Sequence, residues 1–409
     1  MNIKPYQLLL GALALGVAPS AMALNQDITA SFRPDPSQAQ HNKFVNTTPV
    51  SGYCAAYPSF CVGIFSIRLP VRYDSAQPLM PGTDPRNHAM FSVPAQWRTL
   101  TVTHTETGET EQVELRVAGI GSQYELSDTV ENLTGIPNAL SAHRALWGGL
   151  SWVYPPPPCG YTGHGFFGSK TYAFFWRTPV EGACVKFTHY AIPAMGYTYL
   201  DFAYELRTPN PLGMSSGTYT GQLTYRVGPG ADFDMGDVML PSDNAINLNF
   251  VLAVDHILKV EIPPGGDRVE LVPQGGWQAW LQQGRKPSRL FRDQTFNLYA
   301  SSRFKMQLAC ERVIGDTCAI RNAANGHEVP VDIRVSLPHG LSNPDGSAVS
   351  RQPLLLSGAG TQLFKPAMYV DRRPGTLHFE VSQQAVAEML AQDPGTYAGA
   401  VTVIWDSQV

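Results

Sequence analysis

The chain has 409 residues, with 37 Gly, 33 Pro, 10% aromatic and only 15% charged residues. Gly and Pro stand above their average usage, which points to many turns and short strands rather than a helical bundle. The 44% apolar content excludes wholesale disorder, and the formal net charge of -4 excludes a strong basic field, so nucleic acid is not an expected partner.

Residues 1–23 combine Lys4, an apolar run over 8–18 and the small-x-small pattern Ala21-Met22-Ala23. They read as a secretory signal peptide cleaved after Ala23. The run is too short to span a bilayer, and no Cys follows the cleavage point, so neither a membrane anchor nor a lipoprotein anchor is expected. Export makes the six cysteines readable as three disulfides, because oxidising compartments favour such bonds. Six cysteines allow 15 connectivities. Chain order and short spacing favour Cys54–Cys61, Cys159–Cys184 and Cys310–Cys318. Cysteine pairs at zinc spacing are absent, so no metal site is expected there.

The remaining chain reads as strands. A polar leading segment runs to about residue 48, and a half-alternating strand covers 62–73. Strands at 100–104 and 113–118 flank the turn 107–109 as a hairpin, and 137–147 reads as a short helix. A strand is expected at 147–154, stopped by four prolines at 155–158. Further strands fall at 172–176, 183–190, 199–206 and, with clear alternation, 218–227. The Gly- and Asp-rich stretch 229–237 then lacks periodicity and reads as the linker between two domains.

Strands resume at 245–253, 258–262, 269–272, 294–300, 304–310, 329–337 and 376–381, with a hairpin expected at 301–303. A short helix is expected at 382–391, N-capped by Ser382, and a last strand at 397–405. Strands every 8–15 residues with Gly/Pro turns predict a β-sandwich in each half. The second half stops within a few residues of a strand, which fits either a complete sandwich or one with an uncovered edge open to another chain.

The chemical motifs favour bland readings. Gly213-Met214-Ser215-Ser216-Gly217 matches the G-x-S-x-G elbow, but prolines precede it and a strand follows, the reverse of what a nucleophile elbow needs. Asp232, Asp234 and Asp237 read as a solvated linker rather than a calcium loop. The ten histidines form no metal-binding spacing. His164, beside Tyr161, Phe166 and Phe167, lies in a loop between Cys159 and Cys184 whose aromatic content suits sugar or protein binding as well as packing. Arg285, Lys286, Arg289 and Arg292 form a local basic cluster.

Three stretches carry a family resemblance. They are FAYELRTPNPLGM at 202–214, GTYTG at 217–221 and YRVGPGADFD at 225–234, joined by NTTPVSGYC at 46–54 and PGTYAG at 394–399. Together they resemble the CblD-like pilus biogenesis initiators, the tip subunits of class 5 chaperone–usher fimbriae of the CFA/I type. The resemblance implies two tandem immunoglobulin-like β-domains: an adhesin domain over 24–228, and a pilin domain over 238–409 whose sandwich lacks a strand. It implies a periplasmic chaperone, an outer-membrane usher and a major pilin donating a strand as partners. It also implies a host or surface receptor of glycan type, a place at the fimbrial tip on the cell surface, and neither catalysis nor a cofactor.

Family adhesins hold receptors in a basic depression built from an arginine before the first cysteine and an arginine pair ending the last adhesin strand. Here 46–53 contains no arginine, Lys43 is the nearest basic residue, and Arg226 stands alone at the strand end. Lys43 and Arg226 are therefore the receptor-binding candidates. Two other readings stay open: a tip cap without adhesion, and a secreted β-sandwich enzyme acting on carbohydrate, which would need a carboxylate pair across a cleft.

Overall fold

The computed structural model describes residues 23–284 and 286–407, so the signal-peptide reading falls, but for Ala23, outside the described residues, as does Arg285. Strands dominate and enclose two separate hydrophobic cores, an all-β, two-unit architecture.

The main strands of the first unit are β1 (Ala23–Phe32), β2 (Phe65–Leu69), β3 (Arg98–His104), β4 (Thr110–Leu126), β5 (Thr171–Arg177), β6 (Leu200–Arg207), β7 (Gly217–Arg226) and β8 (Ala245–Val254). The 17-residue β4 is the spine. Along one edge it pairs first with β3, through the expected hairpin, and then with β5; along the other it pairs with β6. β6 in turn pairs with β2. The sheet continues from β3 through β7 and β8 to β1. The buried side chains of β8 are Ile246, Leu248, Phe250, Leu252 and Val254, the period of two that a strand with one face on a core requires.

This core is rich in rings. Trp176 donates its indole N–H to the Trp152 carbonyl at 2.9 Å, and Trp147 and Trp152 pack edge to face at 4.5 Å. Each ring so buried contributes about 2–3 kcal/mol when its polar atom finds a partner, as in Trp147 and Trp176 but not Trp152, whose indole N–H has none among the described residues. Helix α1 (Ala139–Leu146), capped by the Asn138 side chain, forms where a short helix is expected. The strand expected at 147–154 does not form. Gly148 and Gly149 follow α1 at φ 79° and 101°, and this turn brings Trp147 and Trp152 inward together.

The division between units also differs from expectation. Residues 229–237 are not a linker: Phe233 and Met235 are buried in the first core, and the strands after them, Met239–Pro241 and β8, both belong to the first sheet. The Asp residues there are tied to arginines, Asp234 buried and Asp237 exposed. Asp234 and Asp237 both accept from Arg86, at 2.9 and 2.6 Å, and Asp232 accepts from Arg98 at 2.5 Å. The two cores part at Asp255–Ile257, after β8.

The second unit contains β9 (Leu258–Glu261), β10 (Leu290–Ala300), β11 (Lys305–Cys310), β12 (Thr317–Asn322), β13 (Glu328–Ser336), β14 (Val370–Val381) and β15 (Val401–Asp406). One sheet runs β9-β10-β14-β13-β12, while β11 and β15 pair as a second sheet. The expected hairpin at 301–303 is therefore a crossing between sheets: β10 pairs with β14, and β11 with β15. Helix α2 (Gln383–Leu390) begins at Ser382, whose hydroxyl accepts from the Ala385 N–H, and buries Ala385 and Val386. The three favoured disulfides, Cys54–Cys61, Cys159–Cys184 and Cys310–Cys318, are all present.

Candidate functional site

Two concave regions stand out, one in each unit. In the second unit a groove of about 470 Å³ opens between the two sheets. Val401, Val403 and Trp405 of β15 form one wall, and Val260 of β9 with Val269 and Leu271 forms the other. Its floor is core: Phe296, Leu377 and Phe379, of which Phe296 is 1% exposed. Trp405 packs on Phe296 and Phe304, with ring centroids 5.0 and 5.8 Å apart. Both flanking strands are edges. Among the described residues β15 pairs only with β11, and β9 only with β10. The lips of the groove therefore carry main-chain N–H and C=O groups with no ladder partner, over an apolar trough.

The first unit solves the same geometric problem internally. Its last strand, β8, pairs with β7 on one side and on the other with β1, in parallel over ten residues from Ala23↔Ala245 to Phe32↔Val254.

One concavity of the first unit, about 250 Å³, is built around Asp201 on β6. The register sets Asp201 opposite Arg68 of β2 and Gly121 of β4, inside a run of buried residues. Its Oδ2 accepts from the Tyr53 backbone N–H at 2.8 Å and from Arg68 at 3.2 Å. Its Oδ1 is buried without a hydrogen-bond partner among the described residues. Burial pushes the carboxyl up to about 6, against the pull of Arg68. The Arg68 guanidinium also lies 3.9 Å over the Tyr199 ring. Gly52 permits the approach: it sits at φ 69°, and a Cβ there would overlap the Asp201 carboxylate. Tyr57 and His164 stack at 4.5 Å with planes 3° apart, and Phe166 beside them is 64% exposed.

The residues singled out in sequence fare differently. His164 and Phe166, from the aromatic loop, line this pocket. Arg226 is exposed at the end of β7, its backbone N–H donating to Asp232 at 2.7 Å. Lys43 is exposed just before Val45, which pairs with Ser31 near the far end of β1. Through the registers β7–β8–β1, Arg226 is level with Ala23 and Val45 with Ser31, so Arg226 and Lys43 fall at opposite ends of the sheet, roughly 30 Å apart along the strands. The structure does not bring them into one site. Asp201 and Arg68 went unselected. Their signal was a lone acid inside an apolar strand run, LDFAY, where a carboxylate stays only if something holds it.

The G-x-S-x-G segment is a turn that meets the second unit. The Ser215 N–H and Tyr219 hydroxyl donate to Glu109 at 3.1 and 2.7 Å, and Arg303 pairs with Glu109 at 3.4 Å. His256 bridges the Met214 carbonyl, at 2.9 Å, and the Ser301 hydroxyl, at 3.1 Å. Among the described residues there is no group of His, Cys, Asp or Glu fit to hold a metal, and no helix long and apolar enough to cross a membrane.

No family model matches the chain, and no curated protein matches it in sequence. Among solved structures it is similar to one in a chaperone–tip adhesin complex described as vital for CFA/I fimbriae biogenesis, at 11% identity and a TM-score of 0.25, over 95% of this chain and 97% of that one. It is similar to CfaE, the adhesive subunit of CFA/I fimbria of enterotoxigenic Escherichia coli, at 10% identity and a TM-score of 0.25, over 94% and 92%. A third is the CsuC–CsuE chaperone–tip adhesion subunit pre-assembly complex from archaic Csu pili of Acinetobacter baumannii, at 10% identity and a TM-score of 0.22, over 94% and 99%.

Proposed function

We propose that this chain is the tip subunit of a chaperone–usher fimbria, exported to the cell surface, that starts fibre assembly and attaches the cell to a surface receptor of glycan type. It acts by binding and not by catalysis. Its second unit accepts a β-strand, first from a periplasmic chaperone and then, at the outer-membrane usher, from the neighbouring major pilin. The motif pieces at 202–214 and 225–234 support the family reading. The observation that carries the mechanism is the apolar groove between the bare edges of β9 and β15.

An extended segment laid there would pair its backbone with β15 and place alternate side chains on Phe296, Leu377 and Phe379. The six residues of β15 give a ladder about 20 Å long, the span of an ordinary strand. The first unit shows the finished state, with β8 covered by β1.

The test compares the mature chain with and without a donor strand, taken from its cognate major pilin, fused after the last strand. The fused form is expected to unfold at a higher temperature and to stay monomeric, whereas the bare form associates or binds chaperone. Equal stability and a monomeric bare form would refute the reading. Removing residues 24–254 then assigns adhesion: fibres that still assemble but no longer hold the surface place receptor binding in the first unit.

A further inference from the structure

We propose that the pocket around Asp201 in the first unit is a binding site for a neutral pyranose. This deepens the adhesive reading above and rests on it. Three observations converge. First, Asp201, 1% exposed and with Oδ1 unpartnered, lines the pocket and fixes Arg68 there, whose side chain stays 45% exposed and keeps N–H donors that a ligand hydroxyl can reach. Second, the rim is aromatic: Tyr57 stacked on His164, with Phe166 64% exposed beside them. Flat apolar rings next to fixed hydrogen-bonding groups suit a sugar, whose C–H face is apolar and whose edge carries hydroxyls. Third, the volume of about 250 Å³ equals roughly eight water molecules, too large for a single bridging water and suited to one ring.

Charge selects the class. Arg68 is the one cation lining the pocket among the described residues, and it is committed to Asp201 at 3.2 Å. The pair has no net charge, so a carboxylate or sulfate on the ligand would gain little from Arg68, whose charge the Asp201 carboxylate already offsets. A hydroxyl can instead accept from the Arg68 guanidinium without bringing a charge of its own. The pocket thus differs in both place and preference from Arg226 and Lys43, neither of which lines it.

The experiment is saturation-transfer NMR and calorimetry on the mature full chain. The probes are methyl β-D-galactopyranoside, methyl β-D-glucopyranoside, methyl α-D-mannopyranoside and, as the acidic probe, N-acetylneuraminic acid. At least one neutral glycoside is expected to bind with a Kd in the low millimolar range, as a ligand of this size allows. Phe166→Ala and Tyr57→Ala are each expected to weaken it at least ten-fold, Phe166→Ala with an unchanged unfolding temperature, because Phe166 is exposed enough that its loss leaves the fold intact. Absence of binding by all three neutral glycosides, binding indifferent to both ring variants, or binding of N-acetylneuraminic acid alone would each overturn the proposal. Donor-strand capture is measured on the same samples. Capture without sugar binding sinks the pocket alone; loss of capture sinks the tip-subunit reading.

Discussion

Replacing Val403 by aspartate separates an open groove from a filled one. Val403 sits between Val401 and Trp405 on the inward face of β15. While the groove is empty, water reaches a carboxylate there, so the cost to the free protein is below about 1 kcal/mol. Once a strand covers the groove, the same carboxylate is shut into an apolar trough without a partner, at a cost of several kcal/mol. The lost valine burial adds about 1.5 kcal/mol. Together these weaken strand capture by roughly 4–5 kcal/mol, about a thousand-fold in affinity.

Two controls fix the interpretation. Thr402 is exposed, one residue away on the opposite face, so Thr402→Asp leaves capture nearly unchanged. Acidification toward pH 4 protonates the new carboxyl and restores part of the affinity of Val403→Asp. The assay is fluorescence anisotropy of a labelled peptide carrying the cognate pilin's donor strand. Equal capture by the Val403 and Thr402 variants would show that the strand does not lie against this face, and would refute the reasoning.

Three further outcomes follow from the structure. Gly52→Ala forces a side chain onto a backbone at φ 69° and displaces the Asp201 carboxylate from Tyr53 and Arg68, so thermal unfolding of the first unit should lose about 3 kcal/mol. Removing Cys310–Cys318 by a double serine replacement should cost the second unit about 2.5 kcal/mol by chemical denaturation, from the eight-residue loop it closes between β11 and β12. Burial holds His88, His143 and His256 below the ordinary histidine range. The unfolded chain therefore takes up their protons first, so stability present above pH 6.5 falls as the pH drops below it. Asp201 acts oppositely: its raised carboxyl gains protons in the folded state between about 6 and 3.8 and offsets part of that loss. Unfolding temperatures between pH 8 and 5 check the sign; no decline below 6.5 would contradict it.

The sequence showed strands wherever alternation was clean and hid their partners. The hairpin of β3 and β4, helix α1 after Asn138, the helix start at Ser382 and the disulfide pairs were legible because each is set by residues close in the chain. The position of β8 was not, because Ile246 to Val254 alternate equally well in either unit and only long-range pairing with β7 and β1 decides between them. Composition misled at 229–237, where glycines and aspartates resemble a linker but serve an ordered loop tied by Arg86 and Arg98. The pocket was half visible: His164 and Phe166 were noticed as an aromatic loop, while Asp201 and Arg68 sit on different strands and meet only through the β2–β6 register.

The two units apply one solution with different sources of chain. In the first, β8 would present a bare edge like that of β15, but β1 lies along it in parallel for ten residues, and Ile28, Ala30 and Phe32 enter the core. In the second, β15 has β11 on one side and the groove on the other. The first unit is thus closed by its own strand, while the second keeps an uncovered edge, as the proposed function requires. The junction links them. Arg303, which pairs with Glu109 of the first unit, lies two residues before β11, the strand that carries β15. A strand entering the groove therefore settles against the same two-stranded sheet that the first unit grips, so filling the groove should also slow hydrogen exchange around Arg303 and Ser215. Exchange there that is blind to strand capture would mean that the two units assemble independently.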